Sequence, residues 1–243
     1  DQMPYQGGKP RGPLASARLL VRRGAPGLDL LQGEAVSPCY DAVHTRTVVF
    51  VDDQYWILHD RLRGTRPHRY DLRFHLGPDA WNRTTVETRD GDVVVRAPGV
   101  MLVMAPARTV CIESGWVAPA YGVKVPAPVV SVVVEGAADV TFTTVVIPAA
   151  AEALPPIVDV HGGDGSTLVE VHGTGPEGVA CDRVAWGDGD HLALGKYRVR
   201  AVAAWLRLAA SGEILAFGAC EPAAPAPRPG GPPDPATGVA GTA

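Results

Sequence analysis

The residues able to do chemistry gather in one stretch, 40–76, which reads YDAVHTRTVVFVDDQYWILHDRLRGTRPHRYDLRFHL. It holds Tyr40, then His44 and Arg46 two residues apart, a single acid at Asp60 and another imidazole at His75. An imidazole can hold or move a proton near neutral pH, and a guanidinium can neutralise a carboxylate. A carboxylate can orient either one. The same side chains also make a plain structural ion pair, which costs free energy to bury unless both partners stay matched. For His44, a group acting on substrate stands against a strand-end histidine bonded to Tyr40 or to a backbone carbonyl. For Arg46 and Asp60, a substrate clamp stands against an ion pair within a sheet.

Those side chains need strands to position them. Residues 43–51 are β-branched, Asp52-Asp53-Gln54 supplies turn chemistry, and 55–62 reads as the returning strand. A break at 64–67 precedes a third strand over 68–76. Strand side chains alternate faces, so His44, Arg46, Val48 and Phe50 share one side, as do Trp56, Leu58, Asp60 and Leu62. If the turn pairs Val51 with Tyr55, Arg46 falls opposite Asp60, with His44 one step further along. By the same parity His59 faces away and is expected at the surface. His68, His161, His172 and His191 stand next to turns or glycines and are expected to be solvated.

A second candidate is the segment 116–124. Trp116 and Tyr121 offer flat faces to a sugar ring, and Lys124 offers a charge to a carboxylate. The alternative for this segment is a core Trp and a Tyr at a strand corner.

Three motifs together resemble the C-terminal sandwich of heparinase II/III-type polysaccharide lyases. The first is the Tyr40, His44-x-Arg46, Asp60 and His75 series. The second is Gly115-Trp116-Val117-Ala118-Pro119-Ala120-Tyr121-Gly122, followed by Val125-Pro126-Ala127-Pro128. The third is the strand 198–205, followed by Leu206-Arg207 and a Ser211-Gly212 turn. The likeness covers roughly residues 1–220. It implies a lyase, a carbon–oxygen lyase, that cleaves uronate-containing glycans such as glycosaminoglycan or alginate by β-elimination. It also implies that the principal Tyr, Asn and His lie in an N-terminal (α/α) toroid, whose helical periodicity is missing here.

On that resemblance His44 is the catalytic contribution of the sandwich, and Arg46, Tyr40, Tyr121, Trp116 and Lys124 touch the substrate. The isolated chain would then be inactive and would act only beside the toroid, with a periplasmic or secreted location. Some family members hold zinc on two His and an Asp. His44, Asp60 and His75 have those ligand types, but Arg46 beside them opposes a cation, so no cofactor is expected. One departure stands out. The family pattern places a His after Gly-Glu, and here Gly33-Glu34 is followed by Ala35.

Bulk properties set outer limits. The 243 residues carry a net charge of −4 and 46% hydrophobic side chains, without the basic footprint of a nucleic-acid binder. No apolar run is long enough to span a bilayer as a helix. Polar residues open the chain with no leader pattern, and position 1 is Asp rather than Met, so a piece of a longer protein is expected. Cys39, Cys111, Cys181 and Cys220 form no C-x-x-C and are expected buried and reduced.

Turn signals every 8 to 12 residues or so lead to an all-β reading, a large antiparallel β-sandwich of two stacked sheets over 1–221. Strands are expected at 81–88, 92–97, 129–135, 140–147 and 197–208, among others. Residues 222–243 are Pro, Ala and Gly, with too little apolar surface to offset ordering entropy, and are expected to be a disordered tail. A non-catalytic acidic-glycan-binding domain and a purely structural sandwich are the rival functions.

Overall fold

The computed structural model describes residues 5–6, 9–10, 14–150, 153–163, 165–173 and 179–222; the expected tail lies almost wholly outside these. Every described element is a strand, apart from one 3-10 turn at Pro78–Ala80. No described helix is long and apolar enough to cross a membrane. In chain order the first strands are β1 (Tyr5–Gln6), β2 (Lys9–Pro10), β3 (Ser16–Ala25), β4 (Leu28–Val36), β5 (Val43–Val51) and β6 (Tyr55–His75). Next come β7 (Thr85–Arg89), β8 (Asp92–Ala97), β9 (Val100–Ala105), β10 (Val110–Ala120) and β11 (Val123–Pro148). The last are β12 (Ile157–Gly163), β13 (Ser166–His172), β14 (Val179–Gly187), β15 (Leu192–Leu194), β16 (Tyr197–Val199), β17 (Ala203–Ala209) and β18 (Ile214–Cys220).

Two very long strands organise the molecule. β6 and β11, of 21 and 26 residues, pair antiparallel along nearly their whole length. The near half of the pair, Trp56–Arg63 against Asp139–Val146, sits inside the large sheet β3-β4-β5-β6-β11-β9-β8-β7. The far half, His68–His75 against Val129–Ala137, carries β10 on its edge. At the join, β11 slips register on either side of Ala137, and Gly136 sits at φ 76, the left-handed region that costs glycine little. The ribbon folds back there. Tyr70, Leu72, Val130 and Val132 land on Leu62, Phe142, Leu102 and Met104 of the sheet they continue from.

The opposite face of the large sheet packs on the sheet β12-β13-β14-β17-β18. Leu28, Val49, Val51, Ile57, Val103 and Val145 meet Val169, Val184, Trp205 and Cys220 there. The small β15–β16 hairpin caps the outside of this second sheet through Leu192, Leu194, Leu206 and Leu208. The result is the expected antiparallel sandwich of two stacked sheets, with one further layer over the large sheet. That layer is the large sheet folded onto itself.

One buried network locks the sandwich. Asp182, wholly buried, accepts two bonds from Arg207 and one from the Tyr55 hydroxyl at 2.8, 2.8 and 3.0 Å. Arg207 also reaches Asp52 at 2.6 Å and Gln54 at 3.2 Å, in the turn that joins β5 to β6. The second sheet is thus tied to the hairpin carrying the candidate chemistry. A close approach reinforces the tie: Gly27, at φ 66, lies under Trp205, whose indole N–H donates to Pro26. A Cβ on Gly27 would come within 2.6 Å of the ring.

Several expectations change. Residues 55–62 and 68–76 belong to one strand, as do 129–135 and 140–147, because a twisted ribbon can bend through Gly64 and Gly136 without losing its pairing. The strand expected at 81–88 begins only at Thr85, since Pro78 starts a tight 3-10 turn. The one at 197–208 is two strands, β16 and β17, in different sheets. Cys181 and Cys220 are buried, but Cys39 and Cys111 are exposed; all four are free thiols.

Breaking the lock leaves a buried carboxylate without its cation. Arg207→Met is expected to lower the unfolding free energy by about 3–5 kcal/mol, read from urea denaturation. An unchanged midpoint would contradict the role given to this network.

Candidate active site

The β5–β6 hairpin has the register expected of it. Val51 pairs with Tyr55, Arg46 with Asp60 and His44 with Leu62. Asp60 is 2% exposed and lies on the face that the folded-back ribbon overhangs. Its Oδ1 meets His44 Nε2 and Arg46 Nε, both at 2.6 Å, and its Oδ2 accepts from Arg46 Nη2 at 3.0 Å. Burial alone would raise the Asp60 carboxyl. Hydrogen bonds and charge from His44 and Arg46 outweigh it and hold the group below the ordinary carboxylate range.

An ionised Asp60 fixes the tautomer of His44. The nitrogen facing a carboxylate carries the proton, so Nε2–H donates, and Nδ1 of the neutral ring keeps its lone pair. Arg46 spends Nε and Nη2 on Asp60, and its Nη1 has no partner among the described residues. The two side chains are 25% and 42% exposed, whereas the acid between them is sealed. The arrangement presents one proton acceptor and one fixed positive charge side by side to solvent.

These groups floor a cleft of about 440 Å³. Its floor is His44, Arg46, Asp60, Leu62 and Phe142; Tyr40 and Ser37 stand at one side, and His68, Tyr70 and Arg73 overhang it. Asp41 holds the overhang in place. Its carboxylate takes the Thr65 backbone N–H at 2.9 Å, together with the Thr65 hydroxyl and His68 Nε2, all at the bend of β6. The Thr65 hydroxyl, foremost among these, holds the Asp41 carboxyl well below its usual range. Across the same cleft, burial pushes the Tyr40 and Tyr70 phenols up, and Tyr70 donates to the Ala138 carbonyl at 2.6 Å. Arg73 is already matched by Asp71 at 2.7 Å and Glu113 at 3.3 Å.

The structure therefore brings together Tyr40, His44, Arg46 and Asp60. It leaves the other candidates elsewhere. Trp116, Tyr121 and Lys124 sit at the tip of the β10–β11 hairpin and line no part of this cleft. The core alternative for them fails as well: Trp116 is 49% exposed, Tyr121 is fully exposed, and Lys124 Nζ stands 4.2 Å over the indole. His75 bonds the Trp116 carbonyl at 3.1 Å and does not join His44 and Asp60. No group of three metal-ligating side chains forms among the described residues. Both oxygens of Asp60 are already committed to Arg46, so the set does not fit a zinc ion.

Two histidines were misplaced by the sequence. His59 does face away from Asp60, but that face packs on the second sheet, so it is buried and bonded to Thr143 at 3.0 Å. His68 is drawn out of solvent by Asp41 and becomes part of the cleft. The signal for His68 was the Asp41 carboxylate just before the β5 strand, which nothing local ties to a residue 27 positions away.

In architecture the molecule is an antiparallel sandwich domain with an imidazole–carboxylate–guanidinium cleft under a folded ribbon. The chain belongs to the heparinase II/III-like, C-terminal family, whose pattern matches residues 11–160. Solved structures share the fold. Heparan sulfate lyase HepC from Pedobacter heparinus aligns at 20% identity and TM-score 0.52 over 64% of this chain and 26% of its own. A heparinase III structure aligns at 16% identity and TM-score 0.55, over 71% and 27% respectively. This chain thus spans about a quarter of those proteins. No curated protein matches it.

The depressed Asp60 carboxyl carries a pH signature. A group whose folded pKa lies below its unfolded value adds stability above about pH 4 and loses it as pH falls through the folded pKa. Unfolding free energy measured from pH 7 down to pH 2 should therefore fall less steeply in Asp60→Asn than in the wild type. Parallel curves would contradict the charged state assigned to Asp60.

Proposed function

We propose that this chain is the C-terminal sandwich of a polysaccharide lyase, in which His44 acts on a uronate-containing glycan beside an (α/α) toroid of the same protein. The observation that carries the reading is the oriented imidazole. His44 gives Nε2 to the Asp60 carboxylate and lines an open cleft beside the free edge of Arg46, which leaves Nδ1 as the acceptor in the tautomer inferred above. β-Elimination needs both elements. A base removes the C5 proton, the electron pair becomes the C4–C5 double bond, and the C4–O4 bond breaks with O4 protonated by an acid. The C5 proton is weakly acidic, so a cation must offset the charge that builds toward the carboxylate. Arg46 supplies it.

The open flank of the site supports a second domain. Beside His44 and Arg46 the same face continues over Leu19 and Leu31, 63% and 44% exposed, in a shallow apolar groove. Such an uncovered sheet face marks a contact surface, and an (α/α) toroid covering it would close the cleft from above. Secretion to the periplasm or beyond accords with an extracellular polymer as substrate.

No metal is required in this reading, because the guanidinium already neutralises Asp60 and offers the fixed charge. Dialysis of the full enzyme against a chelator is expected to leave its rate unchanged; a loss restored by zinc would contradict this. Formation of the unsaturated uronate, followed by its ultraviolet absorbance, should drop on the order of 10²–10⁴-fold in His44→Ala with the melting temperature retained. Full turnover in that variant would remove His44 from the reaction.

One observation favours a second reading, a glycan-binding domain without catalysis. The Trp116–Lys124 pair at the β10–β11 tip is exposed and has the stacking and charge to hold an acidic sugar. Under that reading, Trp116→Ala alone would abolish binding of a uronate oligosaccharide and His44→Ala would do nothing.

A further inference from the structure

On its other face the same hairpin builds a second cleft. Interior positions of β5, β6 and β11 begin as core, with Val49, Ile57 and Val145. Toward the β12–β13 turn they become polar. Register sets Thr47, His59 and Thr143 in one row and Thr45, Arg61 and Thr141 in the next. The facing wall is glycine: a Cβ at Gly162, Gly163 or Gly165 would meet nothing within 4 Å. The two sheets therefore part into a space of about 580 Å³, within the range of ligand sites.

Only some of the polar groups here are spent on one another. Thr47 accepts from Gln32 and Thr143 is bonded to His59, but Thr45 and Thr141 have no side-chain partner among the described residues. Arg61 has neither carboxylate nor hydrogen-bond acceptor among them. Arg108 stands over the Phe142 ring at 5.5 Å and donates to the Thr141 carbonyl at 3.4 Å, but its Nε is buried without an acceptor. That atom is the sole unpartnered buried side-chain nitrogen or oxygen among the described residues. Leaving such a donor unmet costs about 1–3 kcal/mol, more for a charged group. Burial keeps His59 toward neutral, and Asp188 is the one carboxylate on the lining among the described residues. Among the described residues, two guanidiniums thus face one acid.

We propose that this second cleft binds an acidic saccharide, its carboxylate or sulfate between Arg61 and Arg108 and its hydroxyls on Thr45 and Thr141. The anion site rests on the two arginines; the choice of a saccharide rests on the lyase reading above. A long acidic polymer would then be held on both faces of one sheet, and the second hold adds avidity without chemistry.

Calorimetric titration of the 243-residue chain tests this with three probes: an unsulfated glucuronate tetrasaccharide, its sulfated counterpart, and neutral cellotetraose. Arg61→Gln, Arg108→Gln and His44→Gln are compared, each with its melting temperature. The proposal expects the acidic probes to bind at least ten-fold more tightly than the neutral one. It also expects each arginine variant to weaken them about ten-fold while His44→Gln leaves this binding intact. The preferred acidic probe tells carboxylate from sulfate. Because Arg61 is exposed, its variant stays informative if Arg108→Gln fails to fold. Binding lost in His44→Gln but unchanged in both arginine variants would overturn the second cleft and leave the lyase reading standing. Equal affinity for neutral and acidic probes would overturn the anion site outright.

Discussion

A carboxylate sealed from water must keep its partners, and in this protein Asp60 keeps two, the Arg46 guanidinium and the His44 imidazole. That constraint explains why the register of the β5–β6 hairpin cannot slip. A shift of one residue would send Arg46 and His44 to the opposite face and strand the acid among Leu62, Phe142 and the overhanging ribbon. It also explains the division of labour between the two partners. Arg46 satisfies both oxygens yet keeps a free edge, and His44 gives one nitrogen to Asp60 and turns the other outward. An interaction worth little as a surface ion pair here selects a tautomer.

The cleft exists because a sheet folds over itself. The β6–β11 ribbon is too long for one flat layer, and its slipped register with Gly136 gives it a place to bend. Asp41 pins that bend by accepting from Thr65 and His68, so the walls are set from outside the His44, Arg46 and Asp60 set. The opposite face follows from the same ribbon. Core packing there gives way to threonines and arginines where the second sheet diverges, so one hairpin lines two clefts of different character.

Much of this was legible in local pattern. Period-2 alternation and the Asp52-Asp53-Gln54 turn are enough to pair Arg46 with Asp60, and the Asp90-Gly91 turn of β7–β8 is equally plain. Long-range consequences were not. Parity placed His59 on the correct face, but whether that face meets water or a second sheet depends on β12 to β18, far along the chain. The breaks at 64–67 and 136 mark a bend as readily as an end, because glycine permits both. His68 and Arg108 gained their meaning only from neighbours that the fold brings to them.

Asp60, by accepting from Nε2, holds His44 with its proton there and leaves the Nδ1 lone pair for the cleft. Long-range nitrogen–proton correlation spectra of the imidazole, recorded above its titration, read that tautomer directly. The Nε2–H form is expected in the wild type and a mixture in Asp60→Asn. A wild-type His44 carrying its proton on Nδ1 would contradict that assignment.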